Sequence, residues 1–207
     1  MGLAFVDLET VTLTPGPDVI WEIGIITRDD GKPDEEWRFQ VRPNMDRADP
    51  ESLRISRYAK RYELGPRQLA AGWLPPDGAM RPLVLSELAW WLDRLLAGRH
   101  VFGLCPSFDT LRLSLLLRKL VGPSHRDPWH YQPHDIEDQV VGYLLALREQ
   151  DPGSKAAAVS LTLPYDTDAL VEAVGLPPMP EEDQHTALGD ARRVRDFHDA
   201  IRAGGES

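Results

Sequence analysis

Cysteine is almost missing from this sequence: Cys105 is the only one among 207 residues. One thiol forms no internal disulfide and no thiolate zinc site, so a reducing setting is expected. Several catalytic signatures are missing too. No G-x-S-x-G occurs, which removes the usual strand-to-helix turn for a serine nucleophile. No Gly-rich loop ends in Lys and Ser/Thr, and no G-x-G-x-x-G occurs, so ATP or NAD chemistry has no phosphate cradle to rest on. Long apolar runs are also lacking. The richest piece, LRLSLLLRKL, is interrupted by arginine, serine and lysine, which excludes a bilayer-spanning helix. The opening MGLAFVDLETVTL has no basic stretch ahead of a long apolar one and is not read as a signal peptide. A cytoplasmic protein without membrane contact is expected.

Positive charge is in deficit: 23 basic against 33 acidic residues give a net charge of −10. Such a chain does not hold nucleic acid by neutralising its backbone over a broad surface, which excludes an architectural DNA-binding protein. A nuclease survives the exclusion. Metal-ligating carboxylates form a local acidic patch, and the bound cation reverses its field. The hydrophobic fraction of 42% and charged fraction of 27% describe a globular chain. Its length suits one domain that buries roughly two-thirds of its unfolded surface.

Apolar runs at Leu3–Leu8, Val19–Thr27 and Glu36–Val41, joined by short turn-rich links, predict three strands in an antiparallel meander. Residues 42–82 are less regular. They hold one expected helix near Glu51–Lys60 and the loop-like LPPDGAMRP, and read as an insertion or a substrate-contacting flap. Helical spacing of Leu85, Leu88, Trp91, Leu92 and Leu95 predicts a helix over Leu83–Leu96. A buried strand, His100–Leu104, then feeds a helix that starts near Asp109. Further helices are expected over Asp135–Arg148, Asp166–Val174 and Thr186–Ala200. Strands first and mostly helices later make an α/β or α+β single domain.

The chemistry concentrates in three places. Asp7 and Glu9 in FVDLET are two residues apart at the end of a strand, so both side chains leave one face. Two carboxylates share a buried face cheaply only with a cation between them; otherwise the pair is a solvated strand end. Asp109 follows a strand and opens a helix, where it either caps the helix or joins the first pair. In HTALGD, Thr186 is an N-cap candidate, leaving His185 in the loop and Asp190 in the first turns. A helix-borne Asp suits a metal, and a loop His suits proton transfer.

Together, FVDLET, the Phe108-Asp109 pair and HTALGD resemble the three ordered motifs of the DnaQ-like exonucleases, in their histidine-containing (DEDDh) branch. The resemblance runs across the chain, over about residues 1–202, and VIWEIGIIT with Glu22 is similar to the family's second strand. It implies a ribonuclease-H-like domain, a central mixed sheet flanked by helices. It further implies a 3′→5′ exonuclease that releases nucleoside 5′-monophosphates from single-stranded DNA or RNA 3′ ends. Asp7, Glu9, Asp109 and Asp190 would hold two Mg²⁺ or Mn²⁺ ions, and His185 would be the general base. A homodimer, or a polymerase or repair partner, is compatible with it.

Two departures bear on substrate rather than on metal. Cys105 stands where the family usually has an asparagine, four residues before the motif's Asp, and a thiol is a weak replacement for an amide. The segment LRISRYAKRYELG replaces a more apolar one. Its Arg54, Arg57, Lys60, Arg61 and Tyr62 are placed to grip a backbone or stack a base, as Phe108 is; otherwise they form a solvated helix face. The alternatives are a catalytically weak nucleic-acid-binding module of the same fold and a hydrolase of very short oligonucleotides.

Overall fold

The structure is a computed structural model and describes residues 2–65, 69–75, 79–153 and 155–204. Alternation along the first strand decides its layering. In β1 (Leu3–Thr10) Ala4, Val6 and Leu8 point to one face, while Phe5, Asp7 and Glu9 point to the other. β2 (Ile20–Arg28) pairs antiparallel with β1 and sets Ile26 opposite Phe5, Gly24 opposite Asp7 and Glu22 opposite Glu9. β3 (Glu35–Val41) completes the expected meander and sets Gln40 opposite Glu22. β4 (Ala71–Trp73) and β5 (Arg81–Leu83) extend this edge. On the other side β6 (His100–Gly103) and β7 (His134–Asp135) add in parallel. The result is one mixed seven-stranded sheet in the order β5-β4-β3-β2-β1-β6-β7.

Helices cover both faces. α1 (Pro50–Ile55) and α2 (Tyr58–Arg61) close the end where β1 stops, with Leu53, Tyr58 and Tyr62 against Val11, Val19 and Trp21. α3 (Leu85–Leu96) and α4 (Pro106–Val121) bring Leu88, Leu92, Leu113 and Leu117 onto Ala4, Val6, Ile23 and Ile25. α5 (Ile136–Gln150), α6 (Thr167–Ala173) and α7 (Ala187–Gly204) pack Val140, Leu144, Leu170, Val194 and Phe197 onto Phe5, Ile26 and Phe102. Each large side chain so buried contributes about 1.5–3 kcal/mol, which is what the two-sided layering secures. No described helix is long and apolar enough to cross a membrane.

Three local expectations change. The single helix over Glu51–Lys60 is two, broken at Arg57, which takes the left-handed conformation at φ 53. The break turns Tyr58 and Tyr62 onto Trp21, with ring centroids 5.2 and 6.4 Å away. The irregular 42–82 stretch contributes β4 and β5. Each has only three residues and holds Gly72 or Pro82, so neither carries an alternation to detect; residues 66–68 and 76–78 lie outside the described residues. The helix expected from Asp109 begins one turn earlier, at Pro106, whose fixed φ suits a first helical position.

Candidate active site

Backbone geometry gathers the acids. Asp7 and Glu9 come from the end of β1. Asp190 reaches them from the first turn of α7, because that turn lies directly on the sheet at Gly24. A Cβ at Gly24 would stand 2.2 Å from the Ala187 carbonyl oxygen, so only glycine lets the helix this close. The turn is held by Thr186, whose Oγ1 accepts from the Gly189 N–H at 2.9 Å, the N-cap expected from the sequence. Gly189 in turn admits the preceding loop, since a Cβ there would meet the Asp183 carbonyl at 2.1 Å.

Carboxylate oxygens of Asp7, Glu9 and Asp190 lie within 4.8 Å of one another, and among the described residues these three form the one such group. Asp109, in the first turn of α4, is 3% exposed and stands outside that trio. It is nevertheless the carboxylate that acts most strongly on Asp7. Electrostatics report the crowding. Burial, then Asp109, Asp190, Glu9 and Glu22, hold the Asp7 carboxyl well above the usual range. Burial and then Asp190 push Glu9 up to about 9, against the pull of Arg61. Burial takes Asp109 to about 8, opposed by Arg112 and by backbone hydrogen bonds at Leu8 and Asp109 itself. Burial takes Asp190 to about 7, opposed by Arg61 and Arg193. Four acids that cannot all ionise in one site lack positive charge. The donors are oxygen only, which suits a hard divalent cation such as Mg²⁺ or Mn²⁺ better than zinc.

His185 sits just before α7 at φ 53, with its side chain exposed. It lines a cleft of about 500 Å³ together with Asp190, Arg193, Leu104, Tyr165 and Asp168. The expected substrate residues are dispersed. Cys105 is exposed at the start of α4; its thiol lies 3.9 Å from the Ser107 hydroxyl and makes no capping bond to the helix backbone. Phe108 has one face covered by the Arg112 guanidinium, 3.2 Å from its ring centre. Arg54 is exposed and paired with Glu51 at 2.5 Å. Tyr62 stacks on Tyr58 with centroids 4.7 Å apart. Arg57 and Lys60 line a second cavity of about 470 Å³, with Arg38, Glu63 and Arg192. Arg57 also donates to the Glu181 carbonyl at 2.9 Å.

Behind the acids lie Glu22, to which sequence reasoning gave no role, and Arg61, which it gave only a substrate-gripping one. Glu22 is fully buried; it accepts from Arg38 Nε at 3.0 Å, from the Ala187 N–H at 3.1 Å and from Arg61. Arg61 also donates to the His185 carbonyl and lies 4.0 Å from Glu9. A polar Glu inside the otherwise apolar VIWEIGIIT was the signal available for the first.

No protein-family model and no curated protein sequence matches the chain. Solved structures do. A product-bound structure of exonuclease I aligns over 98% of this chain and 43% of its own, at 15% identity and a TM-score of 0.62. The chain shares its ribonuclease-H-like fold. The zinc-bound complex of E. coli exonuclease I with single-stranded DNA aligns over 98% and 40%, at 15% identity and a TM-score of 0.61. The E. coli enzyme bound to a 5cy-dT13 oligonucleotide aligns over 98% and 40%, at 15% identity and 0.60. This chain therefore spans about two-fifths of the length of the exonuclease I chains it matches.

Proposed function

We propose that this protein is a metal-dependent 3′→5′ exonuclease that releases nucleoside 5′-monophosphates from single-stranded DNA or RNA. The observation that carries the reading is the carboxylate cluster of Asp7, Glu9 and Asp190, with Asp109 beside it and His185 at the lip of the adjoining cleft. The similarity in fold to exonuclease I and the resemblance of the three motifs support it.

Asp7, Glu9, Asp109 and Asp190 would hold two Mg²⁺ or Mn²⁺ ions. When bound, such ions supply Lewis-acid activation of water and stabilisation of the leaving 3′ oxygen. Asp7, on which all three other acids act, would be the residue that contributes most to holding the ions. His185, exposed on a loop, accepts the proton of the attacking water through a ring nitrogen and returns it to solvent. Its exposure leaves room for a terminal nucleotide. No serine, cysteine or lysine is required as a nucleophile.

Digestion of matched 5′-labelled single-stranded DNA and RNA oligonucleotides tests the proposal, with Mn²⁺ or EDTA and an Asp7→Asn control. A metal-dependent ladder shortening from the 3′ end, absent in the control, is expected. Intact substrate under every condition, from folded protein, would replace the enzyme with a binding module. Cleavage restricted to dinucleotides would make it a hydrolase of very short oligonucleotides.

A further inference from the structure

We infer that Arg61 is a positioning residue for the proposed reaction, holding the His185 loop against the carboxylate centre from an anchor on buried Glu22. The inference rests on the exonuclease reading and adds a residue that its motifs do not contain.

The chain of contacts starts in the sheet. Register sets Glu22 directly opposite Glu9, so its carboxylate is buried on the face that bears the active acids. A buried charge is tolerated only when paired and hydrogen-bonded. Glu22 meets that demand with Arg38, Arg61 and the Ala187 N–H, one of the free donors at the start of α7. Glu22 thus ties the helix that carries Asp190 to β2.

Arg61 extends the tie to the loop. Its side chain is 13% exposed and its guanidinium lies 5.0 Å from the centre of the Trp21 ring. It donates to the Ser56 carbonyl at 2.8 Å, to Glu22 and to the His185 carbonyl. Glu22 and Ser56 suffice to hold the arginine within the fold. The third bond does something else. His185 adopts a left-handed backbone, which is uncommon outside glycine, and no hydrogen bond to its ring is among the described contacts. The backbone sets where the ring projects from, and that backbone is held by Arg61. Arg57 secures the same loop four residues earlier through the Glu181 carbonyl. The cation also acts on Glu9 and Asp190, so one side chain faces both the proton acceptor and two of the acids.

The test compares the parent with Arg61→Gln, Arg61→Lys and the double variant Glu22→Gln/Arg61→Gln. The double variant removes the buried carboxylate charge together with Arg61 and leaves only Arg38, which is partly exposed, without its Glu22 partner; its melting temperature beside the parent's checks that it is folded. Ring signals of ¹³C-labelled histidine, with His185 assigned by its loss in His185→Gln, read the loop without any activity. Arg61→Gln and the double variant should shift or broaden the His185 signal, while Mn²⁺ still raises the melting temperature. Turnover on a single-stranded oligonucleotide should fall about 100-fold, the scale of a misplaced catalytic group, with KM moved less than threefold. Arg61→Lys should recover part of it. An unchanged His185 signal in both variants, or parental turnover in the double variant, would overturn the inference. Should the parent have no nuclease activity, the exonuclease reading falls, and the His185 signal alone still decides what Arg61 holds.

Discussion

Raising the pH of the metal-free protein from 5 to 8 should destabilise it, and Asp7→Asn should remove much of that loss. In the unfolded chain the four site acids titrate near their ordinary values and are ionised above about pH 5. In the folded protein Glu9 is held at about 9, Asp109 at about 8 and Asp190 at about 7, with Asp7 also raised. A carboxyl whose folded pKa is raised contributes stability that is complete below the unfolded pKa and is lost as pH climbs through the folded one. The window is therefore about pH 4 to 9. Because neighbouring acids share protons, counting one extra bound proton rather than three is the sound choice. One proton is worth about 1.4 kcal/mol per pH unit, hence about 3 kcal/mol between pH 5 and 7. For a domain of this size that is roughly 6–12 °C in melting temperature. Carboxylates shifted the other way, such as Glu36 under the hydrogen bond from Arg192, contribute stability that rises with pH, and do so at the acid edge of this range. Thermal melts in EDTA at pH 5, 6, 7 and 8 would measure it. A flat or rising melting temperature in the parent, or the same slope in Asp7→Asn, would refute the electrostatic account of the site.

Adding Mn²⁺ at pH 8 should reverse the loss, by about 2.7 kcal/mol at a hundredfold excess over Kd, in the parent but not in Asp7→Asn or Asp190→Asn. Melts with and without metal decide it. His185→Ala should lower turnover by about 10²–10⁴-fold while the Mn²⁺-induced rise in melting temperature stays, which single-turnover kinetics and the same melts would show. Gly24→Ala should destabilise the fold by about 1–3 kcal/mol, read from denaturant midpoints, because its Cβ would fall 2.2 Å from a helix carbonyl that cannot move without shifting Asp190. Its turnover should fall further than its stability explains.

Much of the architecture was legible because it is written in local pattern. Short apolar runs at Leu3–Leu8 and Val19–Thr27 located β1 and β2, and the short turn-rich link between them implied the antiparallel pair. Helical spacing located α3, and polar residues ahead of apolar runs located the starts of α5, α6 and α7. Elements set by tertiary context were not legible. β4 and β5 exist because β3 offers a free edge, not because three residues around Gly72 or Pro82 prefer to be strands. The break at Arg57 follows from a tertiary demand, that Tyr58 and Tyr62 both reach Trp21.

The site divides along the same line. Spacing alone put Asp7 and Glu9 on one face, whereas Asp109, His185 and Asp190 joined them through the resemblance of the three ordered motifs to the DnaQ-like exonucleases. Arg61 and Glu22 stand in no motif. They are 39 residues apart, and Arg61 reaches His185 across 124. Their relation exists only once β2 lies beside β1 with Glu22 opposite Glu9, and once α7 is allowed down onto Gly24. From the sequence, Arg61 was one cation among four in a basic stretch, and charge alone pointed it outward toward a phosphate backbone. The fold instead turns it inward, where its net effect is to lower the cost of bringing Glu9, Glu22 and Asp190 together. On the proposed reading, a cation fixed in this way offsets part of the repulsion that comes with gathering Glu9 and Asp190, which is the cost a metal-free carboxylate centre must meet in order to fold.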